Sequence, residues 1–354
     1  MVSFPRPRFR RPLLASAAVG AATVLLVACA EPSEDSGAAA TTDATAASEV
    51  TTLTVYTSEP EEKVDEINAA FMAANPDIEV EVYRAGTGDL TARIAGEKQS
   101  GDIEADVLWA ADAATFETYK AAGDLAELQD VDTSDLIEEA VDAEGFYVGT
   151  RIIPTVIAYN TDVIDEADAP QSWADLVDPQ YAGQLVMPDP AVSGAAAFNA
   201  SVWKNDSQLG EDWINALGEN QPMIAQSNGP TSQEIAAGGH PVGVVVDYLV
   251  RDLAGAGSPI TAVYPTEGAP YITEPAGVFE DSDQKEAAER YISFLLSEEG
   301  QQIAVDQAYL PVREDVGTPE GTPALADIAL MTPDLQVVTE DKNAAVELFQ
   351  NAMQ

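Results

Sequence analysis

Between residues 53 and 109 the spacing of apolar side chains switches repeatedly between the period of a strand and that of a helix, which restricts the chain to few folds. Leu53-Thr54-Val55-Tyr56-Thr57 is a β-branched and aromatic run of strand length. Ser58-Glu59-Pro60 interrupts it, and Val64, Ile67, Phe71 and Met72 then fall on one face of a helix that Asn75-Pro76 stops. Ile78-Glu79-Val80-Glu81-Val82-Tyr83 alternates as a half-buried strand does. Thr87-Gly88-Asp89 opens a second helical stretch that runs through Ile94, and Ala105-Asp106-Val107-Leu108-Trp109 reads as a third strand. The order strand, helix, strand, helix, strand implies a layered α/β lobe, with the loops at the carboxyl ends of parallel strands facing one side.

The same alternation resumes further on. From Arg151 a long apolar run, Ile152 to Thr161, ends in a turn and is expected to cross into a second lobe. Leu185-Val186-Met187 reads as a strand ending at Pro188, Ala195 to Trp203 as a helix, and Val242 to Asp247 as a buried strand. Ala287, Tyr291, Phe294 and Leu295 keep helical spacing before Gly300, and Ala344 to Phe349 repeats it more briefly. No repeat of fixed period is present. Residues 51–354 are enough for two lobes of ordinary domain size.

What precedes residue 51 sets the compartment. Arg6, Arg8, Arg10 and Arg11 stand before an apolar and small-residue run from Leu13 to Ala28, which reads as a signal peptide over residues 1–28. The run is shorter than the roughly 20 residues that span a bilayer, and it ends in Leu26-Val27-Ala28-Cys29, a lipobox-like sequence. Cys29 would then be acylated and become the new N-terminus; the alternative is a buried thiol ending an ordinary anchor helix. Arg10-Arg11 leaves open whether export is by the general or the twin-arginine route. Residues 29–50 carry almost no large apolar side chain and read as a lipidated, disordered tether, about 25 Å end to end by random-coil scaling.

Charge and cysteine usage exclude several classes. The chain has 61 Asp and Glu against 16 Lys and Arg, a formal charge of −45. Removal of residues 1–28 takes away four Arg and no acid, giving −49 for the mature chain. Nucleic acid is not the expected partner, because phosphate neutralisation needs clustered basic side chains. Cys29 is the only cysteine, so a disulfide or thiolate metal site within one chain is ruled out. No G-x-S-x-G, P-loop or H-E-x-x-H motif occurs, and the sole histidine, His240, sits in a Gly238-Gly239-His240-Pro241 turn; an enzyme is not expected.

At this point the chain resembles the periplasmic solute-binding proteins of ABC importers related to ferric-ion-binding proteins. The resemblance runs from about Leu53 to Val316 through Ala105-Asp106-Val107-Leu108-Trp109, Ile157-Ala158-Tyr159-Asn160-Thr161, Ser172-Trp173-Ala174-Asp175-Leu176, Val192-Ser193-Gly194-Ala195 and Phe294-Leu295-Leu296-Ser297-Glu298-Glu299-Gly300-Gln301. It implies a two-lobed α/β periplasmic-binding-protein fold, with two crossing segments, a ligand cleft between the lobes and closure by hinge motion. The expected division is 51–158 with 268–316 for the first lobe, and 159–267 with 317–354 for the second. The implied function is that of an exported, lipid-anchored, monomeric substrate-binding component serving a permease and its ATPase. A surface protein presenting its solute to a membrane sensor would share every one of these features.

The resemblance also supplies candidate residues. The ferric branch uses a His, a Glu and two adjacent Tyr; here those positions fall near Pro60, near Ala111 and on Asp247-Tyr248. An iron reading would rest on Tyr248, Asp247 and Asp112, a short set for Fe(III), and Asp112 better suits a helix N-cap or a solvated acid. No cofactor is expected. The family's anion cradle does match: Val192-Ser193-Gly194-Ala195 lies between a strand end and a helix start, where free N–H groups favour a negative group. Ser193 with Gly194 is also what an ordinary capped turn looks like. Ser58, Thr87 and Gly88 would face the same cleft from the first lobe, and Asn228 is placed with the second-lobe residues. Sister branches bind organic anions such as aminoalkylphosphonates and sugar phosphates. Arg151 or Arg251 would neutralise such an anion unless each is tied up in a salt bridge, Asp247 could take the amine of a zwitterion, and Tyr248 and Tyr271 could pack on its apolar part.

Overall fold

The computed structural model describes residues 50–354; the expected leader over 1–28, the acylation at Cys29 and the tether up to residue 49 lie outside the described residues. The chain enters through β1 (Thr51–Thr57), α1 (Glu61–Ala74), β2 (Ile78–Arg84), α2 (Thr87–Ser100), β3 (Val107–Trp109) and α3 (Ala113–Ala122). β1 pairs in parallel with both β2 and β3, as the alternation of periods requires. Pro60 precedes α1, whose first turn carries Glu61 and Glu62 and whose Val64, Ile67 and Phe71 are buried.

β4 (Val148–Gly149) still belongs to this sheet, whereas β5 (Arg151–Asn160) is a member of the second, with Thr150 alone between them. All ten residues of β5 are buried, which is why its sequence is continuously apolar rather than alternating. The second lobe continues through β6 (Leu185–Pro188), α4 (Gly194–Asn205), α5 (Gly210–Glu219), β7 (Met223–Ala225), α6 (Asn228–Ala237), β8 (Val242–Val246), α7 (Asp247–Gly255) and β9 (Ile260–Val263). β6 is parallel to β7 and β8, while β5 runs antiparallel to β8 and β9.

β10 (Tyr271–Ile272) pairs with β5, and two residues later β11 (Pro275–Val278) is back in the first sheet, antiparallel to β3 and β4. The chain thus crosses at Thr150 and again at Thr273-Glu274, and Thr150 ties the crossings together. Its hydroxyl accepts from Trp109 Nε1 at 3.0 Å and donates to the Glu274 carbonyl at 2.8 Å. After α8 (Lys285–Leu296) and α9 (Glu298–Asp306), β12 (Leu310–Pro311) adds to β5, and α10 (Leu335–Ala352) ends the fold. The result is a five-stranded sheet, β2-β1-β3-β11-β4, and a seven-stranded sheet, β10-β5-β8-β6-β7 with β9 and β12 also on β5.

Each sheet has its own core. Phe71 and Trp109 meet Tyr291 edge to face in the first; in the second Trp203 meets Trp173 edge to face and Trp213 at a tilt, with Trp213 Nε1 donating to the Trp173 carbonyl at 2.9 Å. α10 packs on α4, α5 and α3, burying Val338, Ala345 and Phe349. Its first half carries mostly polar side chains, so the apolar spacing announces only the part from Ala344. Among the described residues no helix is long and apolar enough to cross a membrane.

Candidate ligand-binding cleft

The parallel segments of the two sheets end at a common cavity of about 380 Å³. Ser58, Glu59 and Pro60 follow β1, Gly86 and Thr87 follow β2, and Ala111 follows β3. From the second lobe come Val192 to Ala195 after β6, Ser227 to Pro230 after β7, and Tyr248 after β8. Ile153, Ile272 and Glu274 of the crossing segments complete the lining. This is the carboxyl-end placement that open α/β sheets give to ligands.

The wall made by the second lobe is built for acceptors. α4 and α6 both begin here, and neither carries an acidic residue in its first turn. In a chain with 61 Asp and Glu, that leaves two helix N-termini uncompensated. α1 has Glu61 and Glu62, and α7 has Asp247, in the equivalent places. The N–H groups of Gly194, Ala195, Asn228 and Gly229 have no partner among the described residues. Asn228 holds the two helix starts together: its Nδ2 donates to Ser193 Oγ at 3.0 Å and its Oδ1 accepts from Val246 N–H at 3.3 Å. Ser193 Oγ also accepts from Ala196 N–H at 3.3 Å, so Ser193 is a helix cap that still borders the cavity. Across from it Thr87 Oγ1 is buried with no hydrogen-bond partner, and Arg84 stands exposed at the rim with its Nε on the Glu59 carbonyl at 2.9 Å.

The part of the lining at the crossing is acidic and almost closed to solvent. Arg151, 1 % exposed, donates from Nη1 to Glu59 Oε2 at 2.7 Å, and Tyr309 donates its hydroxyl to the same oxygen at 3.0 Å. The Arg151 guanidinium lies over the rings of Trp109 and Tyr309. Burial alone would lower its pKa, but Glu59 and then Glu274 raise it. Glu274 Oε2 is 3.3 Å from Arg151 Nε, yet neither atom has a hydrogen-bond partner. Burial, then the charge of Glu59, pushes the Glu274 carboxyl well above the ordinary range. Glu274 also has a φ of 43°, in the left-handed region, which costs a residue with a β-carbon about 1–2 kcal/mol.

Of the residues singled out in the sequence, Ser58, Thr87, Ser193, Gly194, Ala195, Asn228 and Tyr248 line this cavity together. The others do not. Arg151 lies behind Glu59 as its buried partner. Asp247 is fully buried: its Oδ2 accepts from Arg251 Nη1 at 2.6 Å and from the Tyr264 hydroxyl at 3.0 Å, while Arg251 Nη2 donates to the Ala308 carbonyl at 2.6 Å. Burial raises the Asp247 pKa despite that pairing. Asp112 caps α3 through Thr115 N–H at 2.9 Å and binds Lys342 Nζ at 2.7 Å. Tyr271 faces a different cavity, of about 480 Å³, with Ile137, Ile152 and Leu330. His240 pairs with Glu234 at 2.8 Å.

Gly88 serves the approach of the lobes. Its N–H points to the Val192 carbonyl at 3.4 Å, and a β-carbon there would stand 2.2 Å from the Ala191 carbonyl oxygen. At Gly194 a β-carbon would stand 2.6 Å from Thr87 Oγ1. Both glycines are needed for contact between these loops. Glu59, Arg84, Ser227 and Glu274 are lining residues that sequence reasoning passed over. Glu59 had a legible signal, an acid between a strand end and a helix-starting proline; Glu274 had none.

Residues 66–332 match the family described as bacterial extracellular solute-binding protein. A probable ABC transporter periplasmic-binding protein of Sinorhizobium fredii is 24% identical over 250 residues, 69% of this chain and 69% of its own. The spermidine/putrescine-binding periplasmic protein of Escherichia coli is 28% identical over 190 residues, 51% of this chain and 50% of its own. Among solved structures, iron-bound HitA of Pseudomonas aeruginosa superposes with a TM-score of 0.77 at 24% identity, covering 86% of this chain and 100% of that one. AfuA of Actinobacillus pleuropneumoniae, with fructose-6-phosphate bound, superposes with a TM-score of 0.73 at 20% identity, covering 84% and 96%. These likenesses establish the two-lobed fold, and with a family match spanning most of the sequence this chain belongs to the bacterial extracellular solute-binding proteins.

Proposed function

We propose that the protein is the lipid-anchored substrate-binding component of an ABC importer, that it holds a small organic anion in the cleft between its lobes, and that it catalyses no reaction. One observation carries the anion reading: α4 and α6 meet at the cavity with free N–H groups and no acid in either first turn, in a chain otherwise crowded with acids. Ser58, Thr87, Ser193 and Ser227 add hydroxyls, Asn228 fixes the two helix starts, and Arg84 adds positive charge at the rim. A ligand drawn between these walls favours the closed arrangement, which is the form a permease would distinguish. Acylation at Cys29 would hold the receptor near that permease. The residues favour an organic anion over Fe(III): Asp247 and Asp112 are occupied by Arg251 and Lys342, leaving the Tyr248 phenol as the one candidate donor from the iron set that lines the cavity.

A thermal-shift screen of phosphonates, sugar phosphates, carboxylates and Fe(III) with citrate tests the proposal, since a ligand bound only by the folded state raises Tm by mass action. The expected result is a rise with at least one organic anion and no visible phenolate-to-iron band after iron loading. No shift across the organic anions, or an iron band lost in Tyr248→Phe, would replace this reading.

A further inference from the structure

The proposed anion site is only one part of the cavity. At the crossing Glu274, 3 % exposed, lines the same cavity; its buried Oε2 lies 3.3 Å from Arg151 Nε but has no hydrogen-bond partner. The neighbouring acid is already employed: Glu59 Oε2 receives Arg151 and Tyr309. Glu274, near Arg151 but receiving no hydrogen bond, is therefore the acceptor left over, held in a left-handed backbone conformation between β10 and β11. An orphaned buried carboxylate is costly unless something donates to it.

Charge balance points the same way. Glu59, Glu274, Arg84 and, directly behind, Arg151 cancel in formal charge, so a ligand with no net charge but separated ends leaves the closed cleft neutral. The same cavity is lined by the apolar side chains of Ile153, Ile272, Val246 and Leu249. From this we infer, building on the anion reading above, that the solute is a short zwitterion. Its anionic head sits at the starts of α4 and α6, a few methylenes pack on these apolar side chains, and a terminal ammonium donates to Glu274. Glu274 is then the residue that selects amino-bearing anions from plain ones, the role that Asp247, fully buried against Arg251, is not placed to fill.

Matched probes on the full chain, purified in detergent, test this by calorimetric titration: β-alanine against propionate, taurine against ethanesulfonate, and 3-aminopropylphosphonate against propylphosphonate. In at least one pair the amino member binds tenfold or more tightly than its partner. Glu274→Gln removes that gap while leaving the plain anion's affinity within twofold, and Glu274→Asp, which keeps the charge, retains part of it. Far-ultraviolet dichroism and melting curves confirm that both variants fold. Equal binding of the two members of every pair that binds, or a gap that survives in Glu274→Gln, overturns the inference and leaves the anion reading standing. Tighter binding of 3-hydroxypropylphosphonate than of the amine also overturns it, in favour of a neutral donor. Binding by no member of any pair removes the anion reading and this inference with it.

Discussion

Gly88→Ala tests how closely the two walls of the cleft must approach. The added β-carbon would lie 2.2 Å from the Ala191 carbonyl oxygen and 3.6 Å from Val192 Cα. Carbon and oxygen come no closer than about 3.2 Å without repulsion, so the overlap is about 1 Å, and the obstacle is backbone that cannot rotate aside. Overpacking of this size costs about 1–3 kcal/mol, and it falls on the closed arrangement alone. Affinity should therefore drop about 5- to 150-fold. The empty protein should melt unchanged or slightly higher, because alanine suits a helix better than glycine by up to about 1 kcal/mol. Two glycines grade the experiment. Gly86→Ala meets the Val192 carbonyl oxygen at 2.8 Å and should weaken binding less, and Gly96→Ala, with nothing within 4 Å, should not weaken it. Titration calorimetry with a probe that binds the parent gives the ratios, and small-angle scattering with saturating ligand should report a larger radius of gyration for Gly88→Ala. Equal affinity in all three variants would refute the reasoning.

Ser193→Ala removes the cap of α4 and a cavity hydroxyl, so it should lower stability by about 1 kcal/mol in urea melts and weaken anion binding as well. Asn228→Ala breaks the link between Ser193 and Val246 and should weaken binding more than it weakens the fold, as compared by calorimetry and urea melts. Lys342→Met strips Asp112, which is fully buried, of its cationic partner and should cost about 1–3 kcal/mol, read as a shift of the urea midpoint. Glu274 has a raised pKa when folded, so its contribution to stability is complete below its ordinary value of 4.5 and is lost as pH rises through the folded value. Glu274→Gln, which cannot ionise, should then melt close to the parent at pH 4 and above it at pH 8; equal melting at both would contradict that sign.

The parts of the fold legible in the sequence are those governed by local periodicity. β1, α1, β2 and α2 lie where alternation and helical spacing put them, because each buries one face against a neighbour close in sequence. The short strands β9 to β12 carry no such signal: two to four residues long, they exist because β5, β3 and β4 offer edges to pair with. The candidate site divides along the same line. Ser193 and Gly194 announce themselves through cap and turn chemistry. Arg151 looks like a free cation in the sequence and is a buried ion-pair partner in the fold, since nothing local to residue 151 says that Glu59 will come to 2.7 Å. Glu274 follows Ile272 and Thr273 without any motif, and its place in the cleft depends on where the chain returns between sheets.

The packing of α10 has a consequence for biogenesis. Val338, Ala345 and Phe349 complete the core of the second lobe from α10, while β12, from residue 310 onward, caps an edge of β5. Contacts so distant in sequence form slowly, and the lobe lacks part of its interior until α10 has been synthesised. The nascent chain therefore stays open to folding factors, and stable closure of the second lobe waits for α10.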